Sequence, residues 1–160
     1  MRYVFFGTPE FAAAVLEKLI AAGHMPVAVV CNPDEPVGRK QILTPPPVKI
    51  LAEKFNISIL QPEKLRNNLE FSIQLKKLKL DLAIVAAYGK IISKEILDIP
   101  VYGFINVHGS LLPAYRGASP IQNAILNGDA ETGITLIKLD EEMDHGKIIS
   151  NIKNQISKID

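Results

Sequence analysis

The first thirty residues switch between strand-like and helical patterns of apolar positions. Residues 3–6 form a short apolar run typical of a buried strand. Thr8 and Pro9 suit the N-cap and first position of a helix, whose apolar stripe falls on Phe11, Val15, Leu16, Leu19 and Ile20. Gly23 fits the position after that helix, and residues 26–31 form a second apolar run. The chain is predicted to open β-α-β, with parallel strands.

Helical and strand-like patterns alternate through the rest of the chain. Further helices are predicted at residues 48–55, 67–79, 93–97 and 119–128, and further strands at residues 57–60, 81–87, 104–107, 133–139 and 147–152. The inward face of the second of these helices is expected to carry Leu69 and Ile73, with Leu75 or Leu78. Residues 32–47 are rich in proline and are predicted to form a long irregular loop, functional or mobile.

This alternation predicts the fold class. It favours an α/β fold with a doubly wound, mostly parallel sheet and a C-terminal antiparallel hairpin, in a single domain. Ligands bind such sheets beyond the carboxyl ends of the strands. That rule indicates the loops after Phe6, Cys31, Ala87 and Val107.

Composition narrows the function classes. The 160 residues are 48% hydrophobic and 22% charged with a net charge of +1, which fits one globular domain and gives no sign of a nucleic-acid-binding or membrane-surface protein as a whole. Arg39 and Lys40, in the proline-rich loop, would be solvated or meet phosphates. The single cysteine, Cys31, excludes an internal disulfide and indicates a reducing compartment. The sequence has neither a long apolar span nor a signal-peptide pattern.

The first turn argues against a dinucleotide site. Residues 7–12 supply only the first glycine of a G-x-G-x-x-G pattern, and Pro9 lacks an amide donor for phosphate. A nicotinamide or nucleotide cofactor is therefore disfavoured. No spacing of His, Cys and carboxylate residues suggests a metal site.

Asn106 and His108 form the most informative pair. They are two residues apart at a predicted strand end, so both side chains project to the same side. An amide donor and an imidazole facing one cleft suit stabilisation of a developing oxyanion. The alternative for so short a pattern is a strand-end asparagine beside a hydrogen-bonded structural histidine.

Asp144 is the best-placed partner for His108. It belongs to an acidic stretch, residues 129–144, in which most of the carboxylates are expected to be solvated turn charges. A carboxylate beside an imidazole favours its cationic form. Asp144 lies next to Gly146 in the turn between the last two predicted strands, so an ordinary turn aspartate is the alternative.

Several segments resemble the folate-dependent formyltransferase family. Asn-x-His-Gly-Ser-Leu-Leu-Pro at residues 106–113 is specific to that family, and residues 115–122 and 128–135 extend the similarity. Residues 6–12, 32–49 and 85–92 are similar to the members of the family that formylate methionyl-tRNA. The resemblance runs over essentially the whole chain.

The resemblance implies a Rossmann-like fold, 10-formyltetrahydrofolate as co-substrate and initiator methionyl-tRNA as acceptor. The catalytic Asn, His and Asp of the family would be Asn106, His108 and Asp144. Its folate contacts would be Ser110, Leu111, Leu112, Pro113, Tyr88, Lys90 and Ile91. The loop that approaches the tRNA acceptor stem would be residues 33–47, with Arg39 and Lys40 as contacts.

The resemblance also implies a domain organisation. Residues 1–160 would be the formyltransferase catalytic domain, and the C-terminal β-barrel domain of the family would be absent from this chain. We expect a cytoplasmic monomer that uses no metal and binds no membrane.

Two other functions stay open. A formyltransferase for a sugar nucleotide or another small amine would share Asn106, His108 and Asp144 but would not need the proline-rich loop. A truncated, non-catalytic folate- or RNA-binding domain would bind its ligand without turnover.

Overall fold

The computed structural model describes residues 1–156. The chain divides into two units, Met1–Phe104 and Ile105–Asp160. The elements of the first are β1 (Tyr3–Gly7), α1 (Glu10–Ala21), β2 (Ala28–Val30), β3 (Glu35–Val37), β4 (Ile42–Thr44), α2 (Pro47–Lys54), β5 (Ser58–Leu60), α3 (Leu69–Lys77), β6 (Leu82–Ala86) and α4 (Lys94–Leu97). The remaining elements are β7 (Phe104–His108), α5 (Pro120–Leu126), β8 (Glu131–Lys138) and β9 (Ile148–Gln155).

Parallel strands form the core of the first unit. Their order is β5-β2-β1-β6, and Phe5 of β1 pairs with Val29 on one side and Ile84 on the other. All five residues of β1 are buried, as a strand covered on both faces requires. Phe6 packs against the rings of Phe71, Tyr88 and Phe104, with centroids 5.3–6.4 Å apart. The predicted β-α-β opening and parallel sheet are confirmed.

The start of α1 differs from the prediction. Pro9 is the N-cap and Glu10 the first helical residue. The Thr8 hydroxyl does not cap the helix, because it accepts a hydrogen bond from the Asn32 amide and donates one to the Tyr88 carbonyl.

The buried face of α3 also differs. Leu69 is 74% exposed and Ile73 43% exposed, whereas Phe71 and Leu75 are buried. Asn68 caps the helix by accepting from the Phe71 amide. Positions two residues apart lie about 200° apart around a helix, so a core contact through Phe71 turns Leu69 and Ile73 away. The expected inward positions of Leu69 and Ile73 were wrong.

The proline-rich loop contains a short antiparallel hairpin that the sequence did not indicate. Glu35 pairs with Thr44, and Val37 with Ile42. Gly38 closes its turn with a φ of +71°, a conformation that costs glycine little. Pro36 is tolerated because a two-stranded hairpin consists of edge strands.

The strands of the second unit pair antiparallel. β8 pairs with β7 on one side and with β9 on the other, which confirms the predicted C-terminal hairpin. Burial alternates along β8, with Gly133, Thr135 and Ile137 facing inward, as expected for a strand with one covered face.

Residues 1–156 contain neither a membrane-spanning helix nor a cluster of potential metal ligands. None of the helices there has the length and apolar character needed to cross a bilayer. Nor do His, Cys, Asp and Glu side chains in that range form a group of three that could hold a metal ion.

Candidate active site

Asn106 and His108 lie at the end of β7, as predicted. Asn106 pairs with Ile137 and His108 with Thr135 across the β7–β8 ladder. Side chains two residues apart share one face of a strand. His108 is buried, with 5% exposure, and Asn106 is half-buried.

Asp144 joins them from the turn between β8 and β9. Its Oδ1 accepts a hydrogen bond of 3.1 Å from Asn106 Nδ2, and its Oδ2 accepts one of 2.8 Å from the Gly117 amide. Oδ2 also lies 3.5 Å from His108 Nδ1. The Asp144 side chain is 11% exposed. The structure therefore brings Asn106, His108 and Asp144 together in one cluster.

The turn that carries Asp144 is tightly specified. Asp144 has a φ of +50°, in the left-handed region, which aspartate tolerates better than most residues. Two residues later, a Cβ on Gly146 would overlap the Lys138 carbonyl. Glycine is needed there because the turn passes directly over the end of β8.

The second ring nitrogen of His108 has a different partner. Nε2 lies 2.9 Å from the Tyr115 carbonyl oxygen. A carbonyl only accepts, so Nε2 donates in this contact. Nδ1 is left facing Asp144, and the two contacts fix the orientation of the ring.

Buried hydroxyls hold the loop that follows β7. Thr135 Oγ1 donates to the Ser110 carbonyl at 2.6 Å and accepts from the Leu112 amide at 3.0 Å. Ser110 Oγ donates to the Ala114 carbonyl at 2.6 Å. Among the residues assigned to folate by resemblance, Ser110 and Leu112 are thus buried in the framework of the loop, Leu111 is half-buried and Pro113 is exposed.

The other three folate candidates follow β6 in the first unit. Tyr88 is buried, burial raises the pKa of its phenol, and its Oη finds no hydrogen-bond partner within residues 1–156. Lys90 Nζ donates to the carbonyls of Pro62 and Glu63, 2.9 Å from each. Ile91 is 81% exposed. Lys90 fastens its loop, whereas Ile91 presents an apolar side chain to solvent.

The basic candidates lie on the hairpin. Arg39 and Lys40 occupy the exposed turn between β3 and β4. Asp34, just before β3, accepts hydrogen bonds from Lys49 Nζ at 2.7 and 2.8 Å and from Gln61 Nε2 at 2.9 Å. These bonds from Gln61 and Lys49 lower the pKa of Asp34, and the bond to Asp34 raises the pKa of Lys49. The hairpin is therefore anchored at its base, with two cations at its tip.

The contacts of three further residues that shape the cluster were not predicted from the sequence. Thr135 holds the loop after β7, Tyr115 bonds His108 through its carbonyl, and Gly117 bonds Asp144 through its amide. Only Thr135 left a usable signal, because it occupies an inward position of an alternating strand. The other two act through backbone groups, which any residue type supplies.

Comparison with known proteins identifies the family. The family model named Formyl transferase matches residues 1–160. The chain is 56% identical over 150 residues to the methionyl-tRNA formyltransferase of Caldicellulosiruptor saccharolyticus, which covers 93% of this chain and 48% of that protein. The chain spans about half the length of the curated relatives it matches.

Solved structures share the fold. Phosphoribosylglycinamide formyltransferase from Bacillus halodurans gives a TM-score of 0.77 at 24% identity, covering 100% of this chain and 82% of that one. The sugar 3N-formyl transferase WlaRD, solved in the presence of dTDP and 5-N-formyl-THF, gives 0.65 at 21% identity, covering 98% and 53%. These likenesses confirm the predicted fold class, a Rossmann-like α/β sheet that is mostly parallel, with a C-terminal hairpin in a single domain. The match over all 160 residues leads to one conclusion: the chain belongs to the formyl transferase family.

Proposed function

We propose that this chain transfers a formyl group from 10-formyltetrahydrofolate to the amino group of initiator methionyl-tRNA, for translation initiation. In this proposal residues 1–160 are the catalytic domain of a longer architecture. The carrying observation is the cluster of Asn106, His108 and Asp144, in a chain whose curated relatives are named methionyl-tRNA formyltransferase. This activity places the protein in the cytoplasm, and we expect it to be a monomer.

The residues assigned to the co-substrate suit a flat heterocycle with polar edges. Ile91 exposes an apolar side chain, and Tyr88 on the same loop has a buried hydroxyl with no partner in residues 1–156. Apolar walls with a few polar groups are typical of small-molecule sites. On the loop after β7, considered by itself, Leu111 and Pro113 present apolar side chains, and Ser110 and Leu112 hold that loop from within. Lys90 fixes the loop that carries Tyr88 and Ile91. When bound, the folate supplies a formyl group on its N10 nitrogen.

The catalytic cluster divides the work among its members. Attack by the acceptor amine makes the formyl oxygen negative, and Asn106 and His108 donate hydrogen bonds to it. One N–H of the Asn106 side chain donates to Asp144, and the second is available to donate to the formyl oxygen. The 3.5 Å from His108 Nδ1 to Asp144 is long for a charge-assisted hydrogen bond, so the Nδ1 proton is available to that oxygen. Asp144 accepts the proton of the amine and passes it, directly or through water, to N10, which leaves as the bond between N10 and the formyl carbon breaks.

The hairpin favours a nucleic-acid acceptor over a small amine. Arg39 and Lys40 stand exposed at its turn, and its base is held by the bonds of Asp34 to Lys49 and Gln61. An exposed cationic tip on an anchored stem suits contact with phosphates. A sugar-nucleotide or small-amine acceptor leaves this feature without a role.

Acceptor choice tests the proposal. We would measure formyl transfer from 10-formyltetrahydrofolate to methionyl-tRNA, to a sugar nucleotide bearing an amine and to free methionine, with this chain and with a protein in which it is joined to the C-terminal domain of a relative. Transfer to methionyl-tRNA with little to the other two supports the proposal. Preferred transfer to the small amines would identify the alternative enzyme, and folate binding without turnover in both proteins would identify a binding domain.

A further inference from the structure

We propose that Tyr115 is a positioning residue: its phenol anchors the backbone carbonyl that sets which nitrogen of His108 faces the reacting oxygen. The inference rests on the proposed function for the cluster of Asn106, His108 and Asp144. It adds three side chains that the resemblance assigned no role, Tyr115, Asn127 and Asp129.

The first step concerns the histidine ring. An imidazole has two nitrogens that exchange roles when the ring turns or the proton moves. The 2.9 Å contact between Nε2 and the Tyr115 carbonyl places a proton on Nε2. Nδ1 is then the nitrogen directed at Asp144 and at an oxygen entering the cluster. Without that carbonyl, nothing else in the described contacts of His108 would hold Nε2.

The second step concerns the backbone of Tyr115. Its φ is +56°, in the left-handed region, where a residue with a Cβ persists only if its surroundings impose the conformation. Tyr115 Oη donates to Asp129 Oδ2 at 2.7 Å and accepts from Asn127 Nδ2 at 3.0 Å. These two bonds are the side-chain anchors that impose it.

The third step concerns what the phenol is anchored to. Asn127 and Asp129 follow α5, and their amides bond back to the Asn123 and Ala124 carbonyls of that helix. The anchor is thus the end of a helix and its closing turn. The Tyr115 carbonyl is held by an ordered element, although it belongs to an irregular loop.

The neighbours of Tyr115 point to the same role. The Ala114 carbonyl accepts from Ser110, and the Gly117 amide donates to Asp144. A shift of this segment would therefore disturb both His108 and Asp144. Displacements of about 1 Å in a catalytic cluster can cost about 100-fold in rate.

The test begins with Tyr115→Phe, which keeps the ring and removes the hydroxyl. We expect kcat for formyl transfer to fall by about 10- to 100-fold, with KM for both substrates nearly unchanged. In 15N-histidine NMR, the His108 Nε2–H signal should lose the shift typical of a hydrogen-bonded proton, because the Tyr115 carbonyl is no longer held against it. Tyr102→Phe, at a tyrosine that is 64% exposed, is the matched control and should alter neither readout.

A pair of variants at Asp129 separates positioning from packing. Asp129→Asn retains an oxygen that can accept from the phenol, whereas Asp129→Ala does not. We expect the asparagine variant to keep most of the activity and the His108 Nε2–H signal, and the alanine variant to behave like Tyr115→Phe. This comparison also replaces Tyr115→Phe should that variant fold poorly.

The outcomes distinguish this inference from the function on which it rests. An unchanged His108 spectrum and kcat in folded Tyr115→Phe would overturn the positioning role, as would equal loss in both Asp129 variants. If the unsubstituted protein transfers formyl to no acceptor while Tyr115→Phe still disturbs the His108 spectrum, the proposed function fails and the anchoring of His108 stands.

Discussion

Asp144 is the residue on which the hydrogen bonds of the candidate site converge. A side-chain amide, a backbone amide and an imidazole nitrogen all face its carboxylate. Only an ionised carboxylate can accept at every one of these positions. The charge therefore organises the cluster, in addition to the proton transfer that we propose for it.

Asp144→Asn should remove both roles. The new amide nitrogen would face N–H donors, so we expect formyl transfer to fall by about 10²–10³ and stability to fall by about 1–3 kcal/mol from the lost hydrogen bonds. Single-turnover transfer and thermal denaturation measure the two effects. Asp140→Asn, in the same turn with a side chain 47% exposed, is the control, and an equal loss there would contradict a special role for Asp144.

Cys31 should be chemically quiet in the folded chain. Burial raises the pKa of its thiol from 9.0 to about 11, so the reactive thiolate is scarce at neutral pH. We expect alkylation at pH 7.5 to be much slower in the native protein than in urea, as followed by mass spectrometry. The same shift means that the unfolded thiol ionises first, so its contribution to stability is complete below pH 9 and is lost as the pH rises toward 11. Native alkylation as fast as that in urea would show that the site opens readily.

In the proposed function, the hairpin β3–β4 is the element that would contact the acceptor. If the cations at its turn meet phosphates, Arg39→Glu should weaken tRNA binding and reduce its salt dependence by about one to two counterions. Folate affinity should not change. Filter binding across a salt series measures the slope. Lys18→Glu is the control, because it is an equal charge reversal at an exposed position of α1. If it weakens tRNA binding as much as Arg39→Glu does, the hairpin acts only through the net charge of the protein.

Acid should loosen the base of the same hairpin. The bonds from Gln61 and Lys49 hold the pKa of Asp34 below its usual value of 3.8. A carboxylate with a lowered pKa contributes stability that is present above the unfolded pKa and lost as the pH falls through the folded one. Asp34→Asn should therefore lower Tm at pH 7, with the difference from the unsubstituted chain shrinking below pH 4. A constant difference from pH 7 to pH 2.5 would show that the ionised form is not what matters.

The pattern of apolar and polar residues predicted those elements that are determined by residues close together in the sequence. The apolar run of β1 and the alternation along β8 led directly to strands, and the two-residue spacing of Asn106 and His108 led to a shared face. It did not predict the buried face of α3, because Phe71 is selected by its contact with Phe6, 65 positions earlier in the chain. It missed the hairpin because a pair of three-residue strands leaves almost no periodicity. Tyr115 was missed because its contribution to the cluster is a carbonyl.

At the scale of the whole molecule, the length of the chain relative to its relatives matters most. The chain spans about half of its curated relatives, so donor and acceptor binding need separate measurement. We expect a 5-formyl folate analogue to raise Tm, because a ligand that binds only the native state stabilises it by about 2.7 kcal/mol at 100 times its Kd. The shift should survive shortening of the hairpin to a plain turn. Absence of a shift at saturating folate would count against the proposed co-substrate.

Thr8 ties the loops after β1, β2 and β6 through a single hydroxyl, which bonds the backbone of Asn32 and of Tyr88. Those loops are fastened before any ligand arrives, so little conformational entropy remains for a ligand to remove. Thr8→Val keeps the size and branching of the side chain but releases both loops. By calorimetry, we expect the variant to bind the ligand more weakly because the entropy of binding is less favourable. The enthalpy of binding should stay nearly the same, since the direct contacts with the ligand are kept. Part of the binding free energy at these loops therefore comes from order that the free protein already has. Thr8 supplies that order without needing to contact the ligand.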